Sequence, residues 1–257
     1  MSAARTALDA VYYIPHFVTI EEEEYLIRKI QGSPLHAWKQ LKNRSNGIIS
    51  GGELTPRNVL IPKPFPSYVE NFPPLISRVT ATHAFEGSPH HAPNHILMNE
   101  YLPGQGIMPH EDGGAYYPVV ATLSLGSHAL FHYYQYYQEG SPDVSDRRDT
   151  AATSIDPNPV ATLLLEPRSL VITTGSLYKC HLHGIEERTN DQITLDGRLA
   201  DLGVAIDNWN QLGSEQWKCR RDSEAVVPRT TRYSLTCRDI PKVAAVAAGS
   251  LLGAMRR

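Results

Sequence analysis

The feature that most constrains the fold is a succession of short apolar or alternating segments that begins at Asn94 and is punctuated by glycine and proline. Short runs rich in β-branched and aromatic residues between such turns are typical of β-strands. Strands are predicted at residues 96–101, 117–124, 129–137, 161–165, 169–173, 179–185 and 233–240. Repeated short strands with glycine and proline turns favour a double-sheet jelly roll.

The first third of the chain is predicted to be helical instead. Thr19-x-x-Glu22 is a capping box, and the acidic residues 21–24 complement the N-terminus of the helix that follows. A second helix is predicted at residues 68–82, which Pro73-Pro74 can break. The predicted class is therefore mainly β with flanking helices (α+β), in a single domain over residues 1–257. It comprises a helical or lid extension at 1–93, a jelly-roll core at 94–241 and a tail at 242–257.

Two polar insertions interrupt the predicted core, at residues 139–159 and 186–229. The first is expected to be a solvated loop, and the second is too polar to form a separate core of its own. Trp209 and Trp217 could nevertheless anchor the second insertion against the barrel. In the tail, residues 243–255 are apolar but too few to span a bilayer, so a packed terminal helix and no membrane association are predicted.

A candidate metal site combines His110-x-Asp112 with a later histidine, His183. Residues i and i+2 of a strand project to the same side, so His110 and Asp112 can reach one ion. Two histidines and one carboxylate with open positions opposite form the facial triad of non-haem iron oxygenases. Spacing alone does not choose between His181 and His183, and zinc accepts the same ligand types.

The surrounding motifs carry a family resemblance. The chain reads Asn99-Glu100-Tyr101 before His110-x-Asp112, then His183-Gly184-Ile185, and finally residues 232–238 as Arg-Tyr-Ser-Leu-Thr-Cys-Arg. This combination resembles the AlkB-like iron and 2-oxoglutarate dioxygenases, which carry Asn-x-Tyr, H-x-D, His-Gly-Ile and a closing Arg-x-Asn-x-Thr-x-Arg strand. The similarity extends, with interruptions, from Tyr12 to Pro241. It implies a double-stranded β-helix with the metal at its mouth.

The resemblance also implies a role for each matching residue. His110, Asp112 and His183 would hold Fe(II). The Gly-Ile that follows His183 in the family favours it over His181 as the ligand. A zinc site would give no role to Asn99, Tyr101, Arg232 and Arg238. Arg232 would bind the distal carboxylate of 2-oxoglutarate, because a planar guanidinium contacts two oxygens at once. The other implied cosubstrate contacts are Asn99, Tyr101 and Arg238, with molecular oxygen as the third reactant.

One position departs from the family's closing strand. Ser234 stands where the family has asparagine, so this candidate cosubstrate contact has a shorter reach than an amide. Arg232, Ser234 and Arg238 should share one strand face by the two-residue period.

The substrate is predicted less directly. AlkB relatives act mainly on N-methylated bases in DNA or RNA, and some act on proteins. Residues 38–63 contain five basic residues and one acidic residue. Trp38, Lys39, Lys42 and Arg44 are therefore candidate contacts for a single-stranded or flipped base, although a solvated surface is an equal alternative. The net charge of −3 is not typical of a general nucleic-acid binder.

Other function classes find little support. There is no G-x-S-x-G elbow and no phosphate-binding loop that ends in Lys followed by Ser or Thr. Three cysteines, Cys180, Cys219 and Cys237, lack C-x-x-C spacing and indicate a reducing compartment. Cytoplasm and nucleus are expected, and no segment indicates an obligate protein partner. A protein or small-molecule hydroxylase on the same iron core, and a non-catalytic binding module, remain as alternatives.

Overall fold

The computed structural model describes residues 11–34, 37–40, 46–137, 154–214, 217 and 224–245. The strands are β1 (Val11–Ile14), β2 (Lys39–Gln40), β3 (Asn46–Ser50), β4 (Gly52–Leu54), β5 (Leu60–Pro62), β6 (His95–Tyr101), β7 (Ile107–His110), β8 (Val120–Leu125), β9 (Ala129–Tyr134), β10 (Ala161–Leu165), β11 (Leu170–Thr173), β12 (Leu182–Ile185), β13 (Asn190–Thr194), β14 (Glu224–Pro228) and β15 (Arg232–Arg238). The helices are α1 (Ile20–Gln31), α2 (Ser67–Glu70), α3 (Leu75–Thr80) and α4 (Gly175–Lys179), with a 3-10 turn at Trp209–Gln211.

Two antiparallel sheets face each other, as a jelly roll requires. The larger sheet has seven strands in the order β1-β11-β8-β15-β6-β3-β2, and the smaller has four in the order β10-β9-β12-β7. Neighbouring strands are mostly distant in sequence, as where β15 lies between β6 and β8. The predicted double-sheet jelly roll, mainly β with flanking helices, is confirmed.

The closing strand β15 shows how the sheet divides core from cavity. Tyr233, Leu235 and Cys237 belong to a core cluster on one face. Arg232, Ser234, Thr236 and Arg238 line a cavity on the other face, as the two-residue period predicted. The outer cluster also contains Leu26 and Ile30 of α1 with Val69, Leu75 and Val79 of α2 and α3, so the helices cover the outer face of the larger sheet.

The segment preceding Asn94 is not only helical. Its described part supplies β1, β2 and β3 to the larger sheet, and β4 pairs with β5, so the prediction of a helical extension at 1–93 is incomplete. These strands have two to five residues, too few to show a periodicity. β1 pairs with β11 and β3 with β6, far along the chain, and β2 extends the sheet from β3. The capping box is confirmed: Glu22 N–H donates to Thr19 Oγ1 at 3.2 Å, and Thr19 N–H donates to Glu22 Oε2 at 2.9 Å. The second helix is split into α2 and α3 at Pro73-Pro74.

The described part of the second insertion, residues 186–214, 217 and 224–229, packs against the jelly roll. β13 and β14 form a two-stranded ribbon, and Ile193, Leu199, Ile206, Leu212 and Trp217 join a core cluster with β10. Asn208 closes the edge of β10, since its side chain accepts from Leu164 N–H and donates to Leu164 O, both at 2.9 Å. The expected anchoring by Trp217 is confirmed, because its side chain is fully buried in that cluster. A few apolar side chains are enough to anchor this otherwise polar segment. Its overall composition therefore suggested a polar loop.

Parts of two further predictions lie outside the described residues. Only 154–159 of the 139–159 insertion are described, and Tyr137 N–H donates to Ser154 O at 2.9 Å, so the segment leaves and rejoins the sheet at adjacent points. The tail is described up to residue 245, where Val243 bridges to Leu60, and the predicted terminal helix lies outside. No helix in the described ranges is both long and apolar enough to cross a membrane.

Candidate metal centre

Three side chains from two adjacent strands converge at the mouth of the jelly roll. His110 ends β7, Asp112 follows it after one residue, and His183 lies on β12 directly opposite His110. One ligand atom from each of the three lies within 4.8 Å of the others. A two-histidine, one-carboxylate set at this separation can hold one divalent cation.

The two imidazoles are oriented by their neighbours. His110 Nδ1 lies 2.9 Å from Met108 O. A carbonyl only accepts, so Nδ1 carries the proton and Nε2 is left to bind a metal. The ring of Phe131 on β9 stacks on His183 with centroids 5.3 Å apart, and the two imidazole centroids are 4.4 Å apart.

Asp112 is held as an anion by a buried arginine. Arg238 Nη2 donates to Asp112 Oδ1 in a short, almost fully buried ion pair. Burial opposes ionisation, but Arg238 and His183 outweigh it and lower the pKa of Asp112. The second oxygen, Oδ2, is buried and has no hydrogen-bond partner among the described residues. A buried anionic oxygen without a donor is well suited to a cation.

His181 does not join this group. It precedes β12, its side chain is half-buried, and its Nδ1 lies 3.0 Å from Ser176 O. The predicted strand at 179–185 therefore starts late, because residues 175–179 form α4 instead.

At the other end of the cavity Arg232 is buried without a carboxylate. Arg232 Nη2 donates to Ser124 Oγ at 2.8 Å, its guanidinium lies 5.4 Å from the centre of the Tyr101 ring, and its Nε has no partner among the described residues. Burial lowers the pKa of Arg232 to about 10, with Arg229 acting in the same direction. A charged donor that lacks an anion in a buried site is prepared to bind one.

The predicted cosubstrate residues lie between these two ends. Asn99 is buried on β6, where Oδ1 has no partner in the part of the chain that the structure describes and Nδ2 donates to Ser234 Oγ at 3.5 Å. The cavity between the two sheets brings together all eight predicted metal and cosubstrate residues, namely Asn99, Tyr101, His110, Asp112, His183, Arg232, Ser234 and Arg238.

The predicted substrate residues lie at the edge of the larger sheet. Trp38 is half-buried against the outer core, and Lys39 begins the short strand β2. β2 pairs with β3, and β3 pairs with β6 so that Gly47 is opposite Asn99. Lys42 and Arg44 lie outside the described residues. The edge strands thus continue the sheet beyond β6, which lines the cavity, while Trp38 packs against the core.

The structure adds four residues that sequence reasoning missed. Phe131 lines the cavity, and Ser124 binds Arg232. Tyr116 places its ring 4.7 Å from the Arg238 guanidinium, and Tyr178 interacts electrostatically with Asp112. Phe131 and Ser124 had a local signal, since both lie in predicted strands. Tyr116 and Tyr178 lie outside the strands.

Comparisons with known proteins agree with this geometry. A family model described as the 2OG-Fe(II) oxygenase superfamily matches residues 10–238. The chain belongs to this superfamily.

Its relatives include AlkB-like proteins. A Danio rerio protein named "Probable RNA/DNA demethylase ALKBH6" is 33% identical over 239 residues, which cover 93% of this chain and 89% of the relative. The "Uncharacterized protein L905" of Acanthamoeba polyphaga mimivirus is 27% identical over 191 residues, or 72% of this chain and 77% of that protein. The solved structure of OsALKBH1 aligns with a TM-score of 0.50 at 16% identity, covering 90% of this chain and 98% of that one, a likeness of fold.

The protein is therefore a dioxygenase that uses Fe(II), 2-oxoglutarate and molecular oxygen. The residues present fit these groups. The unpartnered Asp112 Oδ2 suits the ion, and the buried Nε of Arg232 with Oδ1 of Asn99 suits a polar cosubstrate. With family membership established, the zinc-hydrolase alternative and the non-catalytic module are both disfavoured.

Proposed function

We propose that this dioxygenase removes methyl groups oxidatively from N-methylated bases of DNA or RNA, presented single-stranded or flipped from a duplex. The similarity to a relative named "Probable RNA/DNA demethylase" supports the reaction class. The observation that supports the substrate class is the pairing of β2 with β3 and of β3 with β6, the strand that lines the cavity. Through this pairing, two strands of the basic segment 38–63 lie next to the strand that bears Asn99 and Tyr101.

Each part of the cavity has a proposed role. His110, Asp112 and His183 hold Fe(II), and Arg238 keeps Asp112 ionised and oriented. Arg232 binds the distal carboxylate of 2-oxoglutarate, with Asn99, Tyr101 and Ser234 as its polar neighbours. Phe131 fixes the His183 ring and keeps water from that side.

When bound, the iron and its cosubstrate use oxygen to convert 2-oxoglutarate to succinate and carbon dioxide and to hydroxylate a methyl C–H bond. An N-hydroxymethyl product then loses formaldehyde and returns N–H to the base. The chain's part is to exclude water, to bind the cosubstrate between Arg232 and Arg238, and to admit a base at the rim. A base in a duplex must leave the stack first.

The whole-chain charge favours a second candidate, a hydroxylase of a protein or small molecule. A net charge of −3 supplies no general attraction for phosphates. Nucleic-acid binding is therefore proposed to depend on a local basic surface at residues 38–63.

A direct assay separates the two candidates. Purified protein with ferrous iron, 2-oxoglutarate and pools of oligonucleotides, each with one N-methylated base, is read by mass spectrometry for loss of the methyl mass. Formaldehyde should equal the succinate formed above the uncoupled background. His183→Ala should give no product, and His181→Ala should retain it. Oxidation of a peptide pool without change in any oligonucleotide would replace the nucleic-acid proposal with the second candidate.

We also propose that the protein acts in the cytoplasm and nucleus. Cys180 and Cys237 are free thiols, and Cys219 lies outside the described residues. A reducing compartment suits both free thiols and ferrous iron. Microscopy of the tagged full chain in cells, together with its detection in cytoplasmic and nuclear fractions, would test this location.

A further inference from the structure

Buried polar atoms without partners cluster on the iron-binding side of the cavity. Among the described residues, Asp112 Oδ2, Arg238 Nε and Tyr178 Oη are buried and form no hydrogen bond. Each such group carries an unfavourable desolvation cost unless something satisfies it. The metal accounts for Asp112, and the implied cosubstrate for Arg238. Tyr178 is left without an explanation.

The position of Tyr178 is set by the short helix that joins two cavity strands. α4 follows β11, whose last residue Thr173 lines the cavity, and precedes β12, which carries His183. Leu177 is buried in the core and fixes the helix, and Tyr178 N–H donates to Thr174 O at 3.2 Å. The Tyr178 ring is half-buried, yet its oxygen is buried. The hydroxyl therefore points inward.

The buried hydroxyl interacts electrostatically with Asp112, Arg238 and Tyr116, on the metal side of the cavity. Burial raises the pKa of Tyr178, and Asp112 raises it further while Arg238 opposes the rise. A phenol is protonated at neutral pH, so the buried Oη, which has no partner among the described residues, can donate one hydrogen bond. Asp112 Oδ1 already accepts from Arg238, and the Tyr116 ring covers a face of the guanidinium at 4.7 Å.

We propose that Tyr178 Oη donates a hydrogen bond to the metal-proximal carboxylate of 2-oxoglutarate, beside Arg238. The two ends of the cosubstrate would then be bound by different means. Tyr178 and Arg238, which is already paired with Asp112, bind the proximal carboxylate. Arg232, which forms no ion pair with the described residues, binds the distal carboxylate. A carboxylate has enough lone pairs to bind a metal and still accept from two donors.

The proposal concerns the cosubstrate, so it holds whatever substrate the enzyme takes. It is tested with oxygen excluded and Mn(II) in place of iron, which makes binding the measured quantity. Calorimetry gives the affinities for Mn(II), for 2-oxoglutarate and, by competition, for 2-oxobutyrate, which keeps the proximal carboxylate and lacks the distal one. The variants are Tyr178→Phe, Arg232→Met and, as a matched control, Tyr134→Phe, whose phenol lies in a different cavity beside Glu186.

A hydrogen bond to a charged acceptor corresponds to a loss of about ten- to a hundred-fold in affinity when its donor is removed. Tyr178→Phe should therefore weaken 2-oxoglutarate and 2-oxobutyrate by the same factor and leave Mn(II) affinity and thermal stability unchanged. Arg232→Met should weaken only 2-oxoglutarate, and Tyr134→Phe should weaken neither. Unchanged cosubstrate affinity in Tyr178→Phe overturns the proposal. So does weaker Mn(II) binding, which would assign the phenol to Asp112, or a loss confined to 2-oxoglutarate, which would assign it to the distal end.

Discussion

At the residue scale, two buried arginines with different partners divide the cavity into two ends. Arg238 is neutralised by Asp112, whereas Arg232 takes part in none of the ion pairs among the described residues. Their separation by six positions on β15 keeps both on one face of the strand. A dicarboxylate that binds a metal at one end and Arg232 at the other fits this division.

Arg232→Ala should lower the affinity for 2-oxoglutarate at least tenfold. The distal carboxylate loses its charged partner in a buried site, and truncating one member of such a pair costs about 2–5 kcal/mol. Arg232→Lys should recover only part of the affinity, since an ammonium cannot contact both oxygens as a fork does. Calorimetry without oxygen measures both variants. Wild-type affinity in Arg232→Ala would reject the assignment.

His110→Ala, Asp112→Ala and His183→Ala should each abolish the slow decarboxylation of 2-oxoglutarate that occurs without substrate. Each change removes one of the three proposed protein ligands, and succinate release measures the result. His181→Ala is the matched control, because this half-buried histidine bonds only Ser176 O in the described contacts, and the variant should retain most of the activity. A larger loss in His181→Ala than in His183→Ala would contradict the ligand assignment.

His95 should make the fold sensitive to mild acid. Burial lowers its pKa to about 4, with Arg238 opposite it in the sheet adding to the effect and the Tyr116 ring 6.0 Å away. Because the folded state disfavours the protonated imidazole, this contribution to stability is complete above the unfolded-state pKa near 6.5. It is lost progressively as the pH falls towards 4, the pKa of His95 in the fold. The shift corresponds to a loss on the order of 3 kcal/mol across this window.

Urea unfolding of the metal-free protein between pH 7 and 5 measures this dependence. His95→Leu should flatten the decline but not remove it, since burial also lowers the pKa of His132. Ionised carboxylates contribute only at lower pH, because their unfolded pKa values lie near 4. An equally steep decline in His95→Leu would show that another group is responsible.

At the scale of elements, a buried ion-pair cluster holds the insertion at 186–229 next to the Arg232 end of the cavity. Asp191 on β13 is fully buried and accepts from Arg229 Nε at 2.7 Å and Nη2 at 2.8 Å. His128 Nε2 lies 2.9 Å from the same carboxylate, and Trp217 packs on the His128 ring. Because Arg229 also lines the small cavity beside Arg232, this cluster links the insertion to the cosubstrate end.

Asp191→Ala should therefore destabilise the fold by about 3–5 kcal/mol, since it leaves a buried guanidinium without its anion. Asp196→Ala is the control, because the Asp196–Arg198 pair is more than half exposed and its loss should leave the unfolding free energy close to that of the wild type. Chemical denaturation of both variants gives the comparison. Equal stabilities would show that the cluster does not hold the insertion.

The sequence predicted those elements whose signal is local. The alternation in residues 232–238 placed Arg232, Ser234 and Arg238 on one face, and the capping box at Thr19 placed the start of α1. It did not reveal β1, β2 or β3, because a strand of two to five residues is specified by its partner. Tyr178 and Tyr116 were missed for the same reason. Their role depends on where the ends of distant strands meet.

At the scale of the whole molecule, charge constrains how a nucleic acid can be bound. The chain carries 24 basic and 27 acidic residues, so its overall field does not attract phosphates. Binding to a single strand must then come from a few local contacts. Each phosphate contact contributes about −0.7 to the slope of log affinity against log salt.

If Lys39, Lys42 and Arg44 contact phosphates, changing all three to glutamine should move this slope by about two units towards zero. Fluorescence anisotropy with a single-stranded oligonucleotide across a salt series measures it, with succinate release expected to persist because the metal ligands are untouched. Arg28→Gln with Lys29→Gln is the control, since both residues are exposed on α1, which packs against the sheet face opposite the cavity. An unchanged slope in the triple variant would exclude these contacts and favour the insertion at 186–229 as the path of the strand. Undetectable binding by the wild type would instead favour a protein or small-molecule substrate.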